Sequence, residues 1–180
     1  MHLCAPCGDG SISGDQAEWC TECSAGTYAT GRGNTVCTPC APGSANSDLG
    51  ASRCPPCDAG TYSSLIGGTR CQHCLDGTVA TGQGNTGCIT CPAGTSSSGS
   101  HSNCQSCMAG YGSDSGSKSC TKCVPGTFSN SQGKQCTQCP AGSFNTVSGS
   151  TTCTRCPLGT KAPNAGSSSC TNCGAGYFSL

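Results

Sequence analysis

Bulky side chains are sparse and evenly spaced along this 180-residue chain. Ile12, Tyr28, Tyr62, Val79, Tyr111, Phe128, Phe144, Tyr177 and Phe178 each stand one or two residues after a glycine, separated by long stretches rich in Ser, Thr, Asn and Gly. No segment repeats its apolar positions at a helical period, and Gly and Pro occur too often for helix. The pattern predicts two short extended legs joined by a polar turn, repeated as miniature hairpins. No apolar run approaches the roughly 20 residues that span a bilayer.

The cysteines set the period. All 22 fall into eleven Cys-x-x-Cys pairs, beginning at Cys4, Cys20, Cys37, Cys54, Cys71, Cys88, Cys104, Cys120, Cys136, Cys153 and Cys170. The steps are 16 or 17 residues throughout, the signature of a stacked array. We divide it into units 4–19, 20–36, 37–53, 54–70, 71–87, 88–103, 104–119, 120–135, 136–152, 153–169 and a truncated 170–180. Three residues after each pair stands Gly: Gly10, Gly26, Gly43, Gly60, Gly77, Gly94, Gly110, Gly126, Gly142, Gly159 and Gly176. The simplest cause is a positive φ or close approach to a neighbouring unit. A second Gly precedes the next pair by four residues at Gly33, Gly50, Gly67, Gly84, Gly116, Gly149 and Gly166, where a turn is expected; Gly14, Gly99 and Gly133 lie near that place. Each unit's aromatic is expected to lie against a sulfur pair. The stretch Tyr28–Thr35 nearly recurs as Val79–Thr86, which recent duplication explains.

Composition decides what holds such a chain together. Leu, Ile, Val and Phe number only 16, too few for an ordinary core. The cysteines must therefore set the fold, through disulfides or metal. Spaced Cys-x-x-Cys pairs are also a zinc signal. Here His2, His73 and His101 do not recur with the period, and no basic surface accompanies the pairs, so disulfides are the reading and a zinc array the alternative. Connectivity does not follow from spacing alone. One scheme bonds neighbouring pairs first-to-first and second-to-second. The other bonds the second Cys of each pair to the first of the next, and we prefer it because every unit then has the same form. It pairs Cys7–Cys20, Cys23–Cys37, Cys40–Cys54, Cys57–Cys71, Cys74–Cys88, Cys91–Cys104, Cys107–Cys120, Cys123–Cys136, Cys139–Cys153 and Cys156–Cys170. Each loop would contribute roughly 3 kcal/mol by restricting the unfolded chain. Cys4 and Cys173 are left for partners outside the segment. With no signal peptide at its start and a new unit opening at Gly176, the chain is expected to be part of a longer array.

Units such as Cys91-Pro-Ala-Gly-Thr-Ser, Cys123-Val-Pro-Gly-Thr-Phe and Cys139-Pro-Ala-Gly-Ser-Phe, each followed by a late Gly and a new Cys-x-x-Cys, resemble the ephrin-receptor-like Cys-rich repeat. They are also similar to the first half of tumour-necrosis-factor-receptor modules and to furin-like repeats. Long Ser/Thr-rich arrays of this kind look most like protist and algal surface proteins, such as ciliate surface antigens and flagellar mastigonemes. The resemblance covers the whole chain. It implies a small disulfide-rich fold, mostly irregular with short β-hairpins, arranged as an extracellular rod of ten to eleven modules. It supplies no catalytic residues.

Charge narrows the functions. Eight basic residues balance eight acidic ones, and charged residues are 9 % of the chain, which argues against nucleic acid and membrane surfaces as partners. No Ser/His/Asp arrangement recurs, and units this small have no interior for a catalytic site, so no enzyme activity and no cofactor are expected. Trp19, with Glu18 and Asp15, marks the most divergent unit, a local variation or a partner contact. None of the eight Asn lies in a glycosylation sequon, whereas Ser96–Ser98 and Ser167–Ser169 are candidates for O-glycans. The reading is an extracellular structural repeat in a coat, filament or flagellar appendage, touching copies of itself, other structural chains or glycans along the unpaired edges of its extended legs. A receptor or adhesin stalk is the competing reading.

Overall fold

The structure, a computed structural model, describes residues 4–132 and 134–176. Among the described residues there is no helix, and every strand is two residues long. The strands form antiparallel hairpins, each pairing one strand with the next. In the first part of the chain these are β1 (Ser11–Ile12) with β2 (Thr21–Glu22), β3 (Thr27–Tyr28) with β4 (Thr38–Pro39), and β5 (Thr61–Tyr62) with β6 (Gln72–His73). Then come β7 (Thr78–Val79) with β8 (Ile89–Thr90), β9 (Thr95–Ser96) with β10 (Gln105–Ser106), and β11 (Tyr111–Gly112) with β12 (Thr121–Lys122). The last are β13 (Thr127–Phe128) with β14 (Thr137–Gln138), β15 (Ser143–Phe144) with β16 (Thr154–Arg155), and β17 (Thr160–Lys161) with β18 (Thr171–Asn172). The first strand of each hairpin is the dipeptide after the Cys-x-x-Gly glycine, and the second is the interior of the next Cys-x-x-Cys. At Cys54-Pro55-Pro56-Cys57 the ladder shrinks to a single bridge, Ser44↔Pro56, because proline has no N–H to give.

The turn that starts each hairpin explains its glycine. In Ser24-Ala25-Gly26-Thr27 the Thr27 N–H donates to the Ser24 carbonyl at 3.0 Å, and Gly26 has φ +82°. A hydrogen-bonded turn with positive φ at its third residue is type II, which demands Gly there and favours Pro just before it, as at Pro42 and Pro125. The following hydroxyl locks the same turn: Thr27, Thr61, Thr95 and Thr160 each donate to the carbonyl three residues back at 2.7 Å.

The modules cluster into two compact units. The first comprises Met1–Leu75, Val79–Ile89 and Ser100–Asn103, the second Asp76–Thr78, Thr90–Gly99 and Cys104–Leu180. In the first, the turn glycines reach the next module: Gly10, Gly26, Gly43 and Gly60 donate to the carbonyls of Ala29, Asn46, Ser63 and Ala80 at 2.7–2.8 Å. The late glycines reach back, Gly33, Gly50, Gly67 and Gly84 donating to the carbonyls of Cys7, Cys23, Cys40 and Cys57. The second unit repeats both bonds, for example Gly110 to Ser129, Gly126 to Asn145, Gly149 to Cys123 and Gly166 to Cys139. Much of the backbone that sequence reading leaves as open edge is thus bonded to neighbouring modules, because the legs pack against one another instead of standing free.

The core is made of sulfur and small side chains. The second Cys of each pair from Cys7 to Cys139 is 0–3 % exposed. Beside it runs a column three residues after the turn glycine: Ala29, Asn46, Ser63, Ala80, Ser97, Ser113, Ser129, Asn145 and Ala162, all buried. The aromatics expected against the sulfurs are only half-buried: Tyr28, Tyr62, Tyr111, Phe128 and Phe144 sit at the margin, and Val79 is the one large member of the series that is buried. Neighbouring backbones approach too closely for a ring at the centre. Tyr177 and Phe178 lie outside the described residues.

Candidate functional site

Ten disulfides link the second Cys of one pair to the first of the next, from Cys7–Cys20 to Cys156–Cys170, with Cα–Cα distances of 5.5–5.8 Å. Each closes the base of one hairpin. Cys4 is an exposed free thiol and Cys173 a half-buried one. The bonded sulfurs offer no thiolates. Among the described residues no three His, Cys, Asp or Glu side chains gather at metal-binding distance.

All eleven turn glycines have positive φ, between +76° and +85°. Seven also lie against a carbonyl 39–41 residues further along: a Cβ on Gly10, Gly26, Gly43, Gly60, Gly77, Gly110 or Gly126 would overlap the carbonyl oxygen of Gly50, Gly67, Gly84, Ser100, Gly116, Gly149 or Gly166, respectively. Gly142, Gly159 and Gly176 meet nothing within 4 Å. The glycines four residues before a pair all have positive φ as well, and Gln16 takes φ +58° at the same place in the first module. Gly99 and His101 flank Ser100 with φ +76° and +51°.

The buried polar column is satisfied across modules. Ser97 Oγ donates to the Thr78 carbonyl at 3.1 Å, Ser113 Oγ to Thr95 at 2.7 Å, and Asn145 Nδ2 to Thr127 at 2.8 Å. Sequence reading missed this column, although its signal is plain once sought: every position three residues after a turn glycine is Ser, Ala or Asn. The geometry also revises the O-glycan candidates. Ser97 is 2 % exposed and bonded, so no transferase can reach it, and Ser167 Oγ is turned onto the Asn164 carbonyl at 2.7 Å.

Polar clamps decorate the surface. Asp9 accepts from the Gly31 N–H, Asp58 from Gln83 Nε2 at 2.9 Å, and Asp114 from Gln135 Nε2 at 2.7 Å. Lys118 Nζ lies 2.8 Å from Asp76. That hydrogen bond and the carboxylate's charge hold the Lys118 amine above the ordinary lysine value. Trp19 is 71 % exposed. With Gln16, Glu18, Cys4 and Cys20 it lines a groove of about 780 Å³ that Asp15 does not line. His73 is exposed on β6, and His2 lies outside the described residues.

A family model described as tyrosine-protein kinase ephrin type A/B receptor-like matches the chain three times, over residues 10–53, 43–87 and 110–152, together about two thirds of its length. No curated protein matches the chain. Ten disulfides and this extracellular module type together fit a domain that lies outside the reducing cytosol.

Proposed function

Because the chain belongs to the ephrin type A/B receptor-like repeat family, we propose that it is an extracellular structural repeat, a stiff disulfide-stapled element of a surface coat, filament or flagellar appendage, without enzymatic activity. One observation carries this: the same turn, disulfide and pair of inter-module hydrogen bonds recur from module to module. Such repetition favours a mechanical role, since each module braces its neighbours and coupling is local. The outward strands are short and mostly polar, such as Thr21–Glu22, Thr121–Lys122 and Thr137–Gln138, and suit contacts with copies of the chain, other structural chains or a glycan layer. Cross-linking mass spectrometry on native extracellular material tests it. Cross-links spread over many modules to other structural chains are expected. One ligand held by a single module would overturn the reading.

A receptor or adhesin stalk is the second reading, favoured by the exposed Trp19 indole in its groove. There, ligand cross-links would converge on residues 16–20, because exposed aromatics dominate recognition surfaces.

A further inference from the structure

Phe128 is the shared wall of two hollows in the second unit. One, of about 570 Å³, is lined by Asn130, Thr151, Thr152 and Arg155 as well. The other, of about 300 Å³, adds Lys134 and again contains Asn130. No carboxylate lines either hollow. In a chain whose eight cations balance eight anions, two cations beside one ring with no acid between them are a local departure. Neither Lys134 nor Arg155 has an acidic partner among the described residues. The other grooves differ: the Trp19 groove contains Glu18, and a hollow of about 410 Å³ holds Asp48 and Asp58 beside Arg70.

The backbone here is already taken. Phe128 pairs with Thr137, and the Ser129 N–H donates to the Ser150 carbonyl at 3.1 Å. An extended peptide therefore finds no strand edge to join at this ring. What the hollow offers is a half-exposed aromatic face, an amide, two hydroxyls and two cations. An aromatic face suits the C–H face of a sugar ring, the amide and hydroxyls suit sugar hydroxyls, and a guanidinium pairs in two-pronged fashion with a carboxylate or sulfate.

We propose that the double groove around Phe128 binds an acidic extracellular polysaccharide, with a sugar ring against Phe128 and its carboxylate or sulfate groups on Arg155 and Lys134. This deepens the structural reading by naming one partner, and it rests on that reading only in taking the glycan to be extracellular.

The test titrates the full 180-residue chain with an oligogalacturonate, with a neutral gluco-oligosaccharide of equal length and with a poly-glutamate peptide, followed by calorimetry and by NMR of the Phe128 ring. The uronate is expected to bind and to shift the ring, and the neutral sugar to bind at least tenfold more weakly. Raising salt from 50 to 150 mM should weaken uronate binding roughly sevenfold if two counterions are released. K134Q/R155Q changes only exposed charges and should lose tenfold or more, while R53Q/R70Q in the first unit should change nothing. Uronate binding that survives K134Q/R155Q overturns the proposal, as does an unmoved Phe128 ring. Equal affinity for poly-glutamate would make the groove a protein-recognition surface instead. Any of these failures leaves the structural reading untouched, because that is judged on the contacts of native material.

Discussion

Gly126 and Gly142 are the same residue in the same turn, yet alanine should cost them very different amounts. Both have positive φ, +84° and +80°. Both donate to the next module and accept from the following second Cys: Gly126 to Asn145 at 3.0 Å and from Cys139 at 2.8 Å, Gly142 to Ala162 at 2.7 Å and from Cys156 at 2.9 Å. A left-handed alanine costs about 1–2 kcal/mol at either site. Only at Gly126 does the new Cβ overlap backbone, the Gly166 carbonyl, with that carbonyl's carbon at 2.8 Å; at Gly142 nothing lies within 4 Å. Relief requires moving the turn at Gly166, whose N–H donates to Cys139 at 2.8 Å, or pulling Gly126 off Asn145. One buried backbone bond lost adds about 1–3 kcal/mol. G126A should thus exceed G142A by roughly 1–3 kcal/mol, a factor of about 5 to 150 in the local opening constant. Intact disulfides blunt global unfolding as a readout, so the assay is native-state amide exchange. In G126A the Cys139 and Gly166 amides should lose protection while the Cys23 and Cys40 amides keep theirs. Equal losses in G126A and G142A would show that φ alone selects this glycine. Loss of protection throughout would refute nearest-neighbour coupling.

Three further outcomes are expected. Alkylation before and after reduction, read by mass, should find Cys4 and Cys173 reactive and the other 20 cysteines oxidised; zinc bound to a full set of free thiols would refute the pairing. S113A fits sterically, since Ala29, Ala80 and Ala162 occupy the same column, but it strands the Thr95 carbonyl and should cost about 1–2 kcal/mol, measured as local exchange at Cys107 and Gly94. NMR titration should place the Lys118 amine above an ordinary lysine, and D76N should return it to normal; because the folded value is raised, the pair's contribution is present below the unfolded lysine value and lost as pH rises through the folded one, and full exposure predicts unchanged stability between pH 5 and 8.

Spacing alone determined the elements. A Cys-x-x-Cys every 16 or 17 residues, a glycine three residues later and a late glycine before the next pair prescribe a turn, two short legs and a second turn, and these are local requirements of φ and chain reach. The family is legible from the same motif, because the motif is the module. Tertiary structure decided what spacing cannot encode. That Gly10 meets Gly50, and Gly77 meets Gly116, depends on how successive hairpins rotate, which no neighbouring pair of residues specifies. The same rotation turns the position after Tyr28 inward and leaves the ring at the margin, so Ala29 fills the centre where an aromatic seemed the natural core. It buries Ser97 in a run that reads as solvent-facing, and it brings Arg155 and Lys134, 21 residues apart, onto hollows that share Phe128. Local backbone chemistry belongs to the sequence; which side chains share a space belongs to the packing of one module on the next.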